Sequence, residues 1–262
     1  MSKRRLDALL AERGLYETRS RAAAAVMAGD VRVGDRPARK PGELVADDAD
    51  LVVARPPRFV SRGGIKLANA LDGFGIDPAG RLALDVGAAT GGFTDCLLKR
   101  GAAAVVALDV AYGELHWSLR SDPRVTVIER RNARELGPGE LPYAPDVIVV
   151  DVSFISLDKV LPAVLRAAAP RFDCLALVKP QFEVGRQRVG RGGVVRAAED
   201  RRAALATAAV GAQRSTGASL LGFESSGLPG PKGNRESFMW LAEADRPDAV
   251  GDLQAAIRRA EP

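Results

Sequence analysis

Apolar residues recur along this chain in two different rhythms, and the rhythm changes a little before residue 60. In residues 3–13, Leu6, Leu9 and Leu10 fall at helical spacing and Gly14 follows as a stop, which predicts a first helix. Thr18 is placed to cap a second helix over residues 19–28, with Ala22, Ala25, Val26 and Met27 inward and Gly29 closing it. Val31-Arg32-Val33 then alternates, Gly34-Asp35 reads as a turn, residues 36–40 return, and Leu51-Val52-Val53 offers a further strand. Arg55-Pro56-Pro57-Arg58 reads as a stiff linker, because proline fixes its own φ and restricts the residue before it. A first domain over residues 1–55, a linker over 56–62 and a second domain over 63–262 are expected.

Leu67, Leu71 and Phe74 lie at i, i+4, i+7 and bury one face of a helix; by the same pattern Lys66 lies off that stripe and reads as a surface lysine. From Leu82 strands and helices alternate. Strands are predicted over residues 82–86, 104–110, 125–128, 147–151, 174–178, 219–224 and 237–241, and helices over 93–100, 157–169, 197–215 and 253–259. Repeated βα units predict an α/β fold with a doubly wound, mostly parallel sheet, preceded by a small α+β module.

The run Val147-Ile148-Val149-Val150-Asp151 is a buried parallel strand ending in a carboxylate, and in such sheets the carboxyl end of a strand faces the ligand crevice. Between the strand at 82–86 and the next helix, residues 87–92 form a glycine-rich loop that lets a ligand approach the backbone. The loop lacks the lysine of a P-loop and the full dinucleotide glycine pattern. Asp109, at the end of the second strand of the sheet, is placed to hold two ribose hydroxyls. Loop and carboxylate together suggest a nucleoside-containing ligand; a tight turn beside an exposed Asp is the plainer alternative.

Charge adds a second theme. Residues 1–66 hold 14 Lys+Arg against 9 Asp+Glu, and the rest of the chain is balanced, so the whole +5 surplus lies in the first quarter. A basic module beside a neutral domain suggests a polyanion such as nucleic acid. Cys96 and Cys174 are the two cysteines and His116 the one histidine, so zinc, a disulfide framework and a Ser-His-Asp mechanism are all disfavoured. No apolar run approaches the roughly 18 residues of a membrane span, and Met1-Ser2-Lys3-Arg4-Arg5 leads into charged sequence, so a cytoplasmic protein without membrane contact is expected.

Arg5-Leu6-Asp7 to Leu10, Gly14, Ser20-Arg21 to Ala25, Gly29-Asp30-Val31-Arg32-Val33-Gly34 and Lys40-Pro41 together resemble the S4 RNA-binding fold of ribosomal protein S4, pseudouridine synthases and tyrosyl-tRNA synthetases. The resemblance implies that the second helix and its following loop lie against structured RNA, with Arg4, Arg19, Arg21, Arg32, Arg36, Arg39 and Lys40 near phosphates.

Asp85-Val86-Gly87 with Thr90-Gly91-Gly92-Phe93-Thr94-Asp95, Asp109-Val110-Ala111-Tyr112-Gly113, Glu129 to Arg134, Asp151 to Leu157, Lys179-Pro180-Gln181-Phe182-Glu183 and Gly233-Asn234-Arg235-Glu236 look like the TlyA (hemolysin A) family of rRNA 2'-O-methyltransferases. Ala89, in place of a usual Ser, and Glu114, in place of a common Gln, depart from the pattern. The resemblance implies a Rossmann-like, FtsJ-like class I methyltransferase domain with a seven-stranded sheet, S-adenosyl-L-methionine as cofactor, and a catalytic tetrad of Lys66, Asp151, Lys179 and Glu236. It places the cofactor on Asp85, Gly87, Ala88, Thr90, Gly91, Gly92, Phe93, Asp109, Asn132 and Asp151.

A ribose 2'-hydroxyl is a poor nucleophile, so the enzyme must orient it and take up its proton. A lysine that has lost its proton in a crowded cationic site fits that task, and Lys179 is the choice, held by Asp151 while Lys66 and Glu236 position the ribose. No metal is required. Gly185 to Gly193 carries Arg186, Arg188 and Arg191 among glycines without an apolar period, and reads as a loop that orders on RNA together with Arg62.

The expected reaction is 2'-O-methylation of cytidine in ribosomal RNA of one or both subunits, by a monomer acting on RNA or ribosomal subunits. The competing readings are a non-catalytic S4-type ribosome-assembly factor and, weakly, a membrane-active cytolysin.

Overall fold

The computed structural model describes residues 3–16, 18–53, 58–137 and 139–261. The chain separates between residues 57 and 58 into two compact units. Residues 55–57 of the expected linker lie outside the described residues.

The first unit begins with β1 (Lys3–Arg5), which pairs antiparallel with β4 (Leu44–Ala46). The predicted first helix therefore starts three residues late, as α1 (Leu6–Glu12), because residues 3–5 are drawn into a strand by a partner some forty residues away that the local spacing does not reveal. In α2 (Arg19–Ala28) the expected caps are present: Thr18 Oγ1 accepts from the Arg21 amide at 3.2 Å, and Gly29 takes the left-handed conformation that ends the helix. The strands β2 (Val31–Val33), β3 (Arg36–Pro37) and β5 (Leu51–Val53) form an antiparallel sheet with β2 in the middle. Leu6, Leu10, Ala22 and Val31 are fully buried in the small core between helices and strands, each Leu contributing about 2 kcal/mol through lost water contact.

The second unit is organised by a seven-stranded sheet. Its elements are α3 (Gly63–Phe74), β6 (Leu82–Val86), α4 (Gly92–Lys99), β7 (Ala104–Leu108), α5 (Trp117–Arg120), β8 (Val125–Ile128), β9 (Val147–Val150), α6 (Leu161–Arg166), β10 (Asp173–Val178), α7 (Pro180–Glu183), α8 (Ala198–Thr216), β11 (Ser219–Ser225), β12 (Ser237–Ala242) and α9 (Leu253–Ala260). The strand order is β11-β12-β10-β9-β6-β7-β8. The central pairs are parallel, whereas β12 runs antiparallel to both β10 and β11, giving the mostly parallel doubly wound sheet.

Central strand β9 is buried on both faces, and its period of two divides its side chains between two cores. Ile148 and Val150 join Leu161, Leu205 and Ile257 on one face; Val147 and Val149 join Leu67, Leu71, Phe93 and Leu97 on the other. Phe59 belongs to the second of these cores, and the Val60 amide donates to Asp95 Oδ2 at 2.8 Å, so the chain is already part of this unit ahead of α3.

The helix predicted over residues 157–169 is interrupted. Residues 157–159 form a 3-10 turn and α6 starts only at Leu161, with Pro162 in its first turn, where its missing N–H is tolerated. The short α5 and α7 are too brief for periodicity to reveal. Among the described residues no helix is long and apolar enough to cross a membrane.

Candidate active site

Parallel strands deliver their carboxyl ends to one rim, and β12 delivers its amino end to the same rim because it runs the other way. Register pairs Val178, the last residue of β10, with Ser237, the first of β12. Glu236 thus arrives beside the residue that follows β10, Lys179, and next along the rim β9 ends before Asp151. The tetrad positions come together here although 170 residues separate Lys66 from Glu236.

They form two ion pairs. Lys179 Nζ stands 2.5 Å from Asp151 Oδ1 and also donates to Ser153 Oγ at 2.8 Å. Lys66 Nζ stands 2.5 Å from Glu236 Oε2, with the lysine 7% and the glutamate 3% exposed. The pattern of α3 alone made Lys66 a surface lysine; the structure corrects this, since α3 is covered on that side too and the buried charge is matched by Glu236. Each lysine has its own carboxylate, so the site is a pair of neutralised couples rather than a crowd of cations. Gly230 abuts Glu236 so closely that a Cβ there would overlap the carboxylate.

The tetrad lines a cavity of about 420 Å3 with Arg62, Gly87, Ala88, Ala89, Thr90, Gly92 and Phe93. A second cavity, of about 380 Å3, is lined by Gly87, Ala89, Asp109, Glu114, Asn132, Asp151, Ser153 and Phe154. Asp151, Gly87 and Ala89 border both, so the two spaces meet at the end of β9. Gly87 makes this junction possible: its φ of +84° is left-handed, and a side chain there would run into the Asp151 carbonyl oxygen.

Asp109 accepts from the amides of Ala89 (2.7 Å) and Ala111 (2.8 Å), one on each carboxylate oxygen. A carboxylate has room for about four donors, so two positions remain for hydroxyl groups. Asn132 Oδ1 accepts from the Arg134 amide, leaving its NH2 for the cavity.

Two expected cofactor residues touch neither cavity. Gly91 caps α4 in a left-handed conformation beneath Leu115 and Leu119. Asp85 is fully buried under the loop and accepts from Thr94 through both its amide (2.9 Å) and its hydroxyl (2.7 Å), which pins the first turn of α4. Burial, reinforced by the nearby charges of Asp151 and Asp109, pushes the Asp85 carboxyl up to about 7 despite the Thr94 bonds. His116 caps α5 with its ring, well away from the tetrad in role.

A third cavity of about 380 Å3 opens beyond Lys179, lined by Ser153, Phe154, Phe182, Lys232, Asn234 and Glu236 among others. Phe154 stands out there: it is 92% exposed, holds a left-handed backbone (φ +65°), and meets the Phe182 ring at a centroid distance of 5.3 Å. Residues Ser153 and Phe154 were within the motif read from sequence without being singled out; the available signal was an aromatic residue set in the polar run just after the carboxylate.

The arginines expected on RNA are differently placed. In the first unit Arg4 pairs with Glu12 and Asp47, Arg19 with Asp7, and Arg36 with Glu43, while Arg32 donates to the Asp35 carbonyl. These groups are exposed or half-buried but already engaged locally; Arg21 and Lys40 are exposed. In the second unit Arg62 lines the tetrad cavity and donates to the Pro229 carbonyl, Arg188 faces Asp200 at 3.5 Å, and Arg186 and Arg191 are exposed on two short 3-10 turns. Among the described residues no group of three His, Cys, Asp or Glu side chains is arranged to hold a metal.

Comparison with known proteins shows the family. Residues 59–243 match the model of the FtsJ-like methyltransferase family, and residues 4–51 match the S4 domain. The chain is 49% identical to the 16S/23S rRNA (cytidine-2'-O)-methyltransferase TlyA of Mycobacterium tuberculosis, over 98% of this chain and 96% of that protein. It is 40% identical to Hemolysin A of Brachyspira hyodysenteriae over 73% of this chain and 80% of that one. A solved hemolysin-type structure from Streptococcus thermophilus superposes with a TM-score of 0.74 at 38% identity, covering 99% of this chain and 96% of that chain. With both of its compact units matched in order and its length spanned almost completely, this chain belongs to the TlyA family of FtsJ-like methyltransferases that carry an amino-terminal S4 domain.

Proposed function

We propose that this protein transfers a methyl group from S-adenosyl-L-methionine to the 2'-hydroxyl of a cytidine ribose in ribosomal RNA, with Lys66, Asp151, Lys179 and Glu236 as its catalytic residues. The observation that carries the reading is the shared border at Asp151: the cavity holding both Lys–carboxylate pairs meets, at that residue, a second cavity floored by Asp109.

The residues present fit the cofactor. Asp109 keeps two acceptor positions free for ribose hydroxyls, Asn132 offers an amide to a base edge, and the missing Cβ of Gly87 leaves backbone open at the junction. S-adenosylmethionine supplies a methyl group on a sulfonium sulfur, which keeps the S–C electron pair when the methyl departs. Asp85 and Gly91 support this site from beneath by fixing the start of α4.

The protein's task is to prepare the oxygen. Lys179 acts in its neutral form: having first released its own proton to solvent, Nζ takes the hydroxyl proton, and the electron pair left on the 2'-oxygen forms the new O–C bond. Asp151 balances the resulting ammonium at 2.5 Å. Lys66 and Glu236, buried together in the wall of the same cavity, hold the ribose in line through a fixed pair of charges. Phe154 offers its exposed ring to a nucleobase turned out of its stack, and Arg62, Arg186, Arg188 and Arg191 face the phosphates around it. The S4 unit binds structured RNA through Arg4, Arg19, Arg21, Arg32, Arg36 and Lys40, several of which exchange a local carboxylate for phosphate on binding.

Purified protein, labelled S-adenosylmethionine and unmethylated ribosomal subunits test the reading, with 2'-O-methylation mapped on the RNA. Label at a cytidine ribose is the expected result. Label on a base, or none, would overturn it and favour a non-catalytic RNA-binding factor.

A further inference from the structure

We infer that Ser153 is a positioning residue that aims Lys179 at the ribose hydroxyl, a role that rests on the reaction proposed above. Asp151 and Ser153 are two residues apart on the segment leaving β9, and both reach the same nitrogen: Lys179 Nζ has Asp151 Oδ1 at 2.5 Å and Ser153 Oγ at 2.8 Å. One piece of chain thus grips the lysine at two points.

The tetrahedral nitrogen makes the second point matter. Of its four directions, one is the bond to Cε and one is the N–H bond to Ser153 Oγ, the one aligned hydrogen bond it makes among the described residues; Asp151 Oδ1 is close enough to attract the charge but accepts no aligned hydrogen bond. An ion pair without an aligned hydrogen bond leaves rotation about Cε–Nζ free among its staggered positions, and the Ser153 bond fixes that rotation. The directions left to the nitrogen are then set, and Lys179 lines both the tetrad cavity and the one beyond it, space that a ribose can enter.

Ser153 is itself exposed at the edge of two cavities and forms no other side-chain bond among the described residues, so it is not needed to hold the fold together. Its oxygen accepts from Nζ. An aiming role predicts a slower step at every pH, the alkaline plateau included, because a misdirected nitrogen stays misdirected whatever the pH.

Ser153→Ala and Ser153→Thr test this in the full-length protein, using single-turnover methyl transfer to unmethylated ribosomal subunits across pH, KM for the subunit, and calorimetric binding of S-adenosylhomocysteine. Misplacement of a reacting group costs up to about 100-fold, so Ser153→Ala is expected to lose about 10- to 100-fold in the plateau rate, with KM and cofactor affinity unchanged. Ser153→Thr, which keeps the hydroxyl, is expected to restore most of it. An unchanged plateau, a defect confined to KM, or equal loss in the threonine variant overturns the inference while active wild-type protein leaves the proposed reaction standing. Inactive wild-type protein overturns both.

Discussion

Lys66 Nζ and Glu236 Oε2 lie 2.5 Å apart, both side chains buried, at the place where α3 faces the start of β12. Two charges withdrawn from water hold each other in place, and losing one partner leaves the other stranded. Removing one member of such a pair costs about 3–5 kcal/mol, whereas replacing both by apolar residues of similar size is often close to neutral. Lys66→Met and Glu236→Leu are each expected to lower the denaturation midpoint strongly, and the double variant to recover most of it while remaining inactive in methyl transfer. Urea unfolding of the four proteins, beside an activity assay, separates the structural from the chemical part of the pair.

Asp151 is half-buried, at the border of both main cavities, so it can be changed with little loss of core. Asp151→Asn keeps the shape and removes the charge that balances Lys179 after proton uptake. Methyl transfer is expected to fall by about 100-fold or more, with binding of RNA by the S4 unit retained. Filter binding of rRNA fragments together with the transfer assay checks both halves of the expectation; a variant that remained fully active would remove Asp151 from the catalytic set.

Asp85 gives stability a pH dependence whose sign follows from its burial. In the folded protein its carboxyl is raised from an ordinary 3.8 to about 7, chiefly by burial and further by the charges of Asp151 and Asp109, with Thr94 opposing. The folded state therefore holds this proton more tightly than the unfolded chain. Its contribution is complete below about pH 4, declines as pH rises toward 7, and is level above that. For Asp85→Asn the decline over this window is expected to be shallower than in wild type by a few kcal/mol, of order 3. Denaturation midpoints from pH 4 to 8, taken as the difference between the two proteins, cancel the other titrating groups.

Phe154 combines a left-handed backbone with a nearly bare ring. A non-glycine residue in that conformation costs about 1–2 kcal/mol, and an exposed ring recovers little of it. Phe154→Gly is thus expected to be more stable than wild type by up to about 1 kcal/mol and to turn over RNA more poorly. Thermal midpoints and KM for the RNA substrate read the two effects; a gain in stability without any kinetic loss would deny the ring its role as a platform for a base.

The rim was the part of the site most legible in the sequence. Strand ends are set by apolar runs stopped by a polar residue, so Asp109, Asp151 and Lys179 could be placed from local pattern. Lys66 could not: its position off the apolar stripe of α3 describes one helix, while its burial is decided by β12, 170 residues away. Likewise β1 hides inside a helical spacing because β4, its partner, is remote. The Thr18 and Gly29 caps of α2 were readable because capping is a contact over three or four residues. Pro162 marks the true start of α6, but the aliphatic spacing runs on across the break and hides it. Ser153 is not legible for a different reason: a serine after a strand is common, and only the approach of Lys179 gives it meaning.

The antiparallel placement of β12 also sets an order of events. Because β12 lies between β10 and β11, the earlier-made β11 has no neighbour in the sheet until residues 237–242 have been synthesised and inserted. Glu236 arrives with that same strand. A growing chain can therefore complete its glycine loop, Asp109, Asp151 and Lys179 while Lys66 still lacks its counter-charge, and the four-residue cluster closes in the same step that closes the sheet.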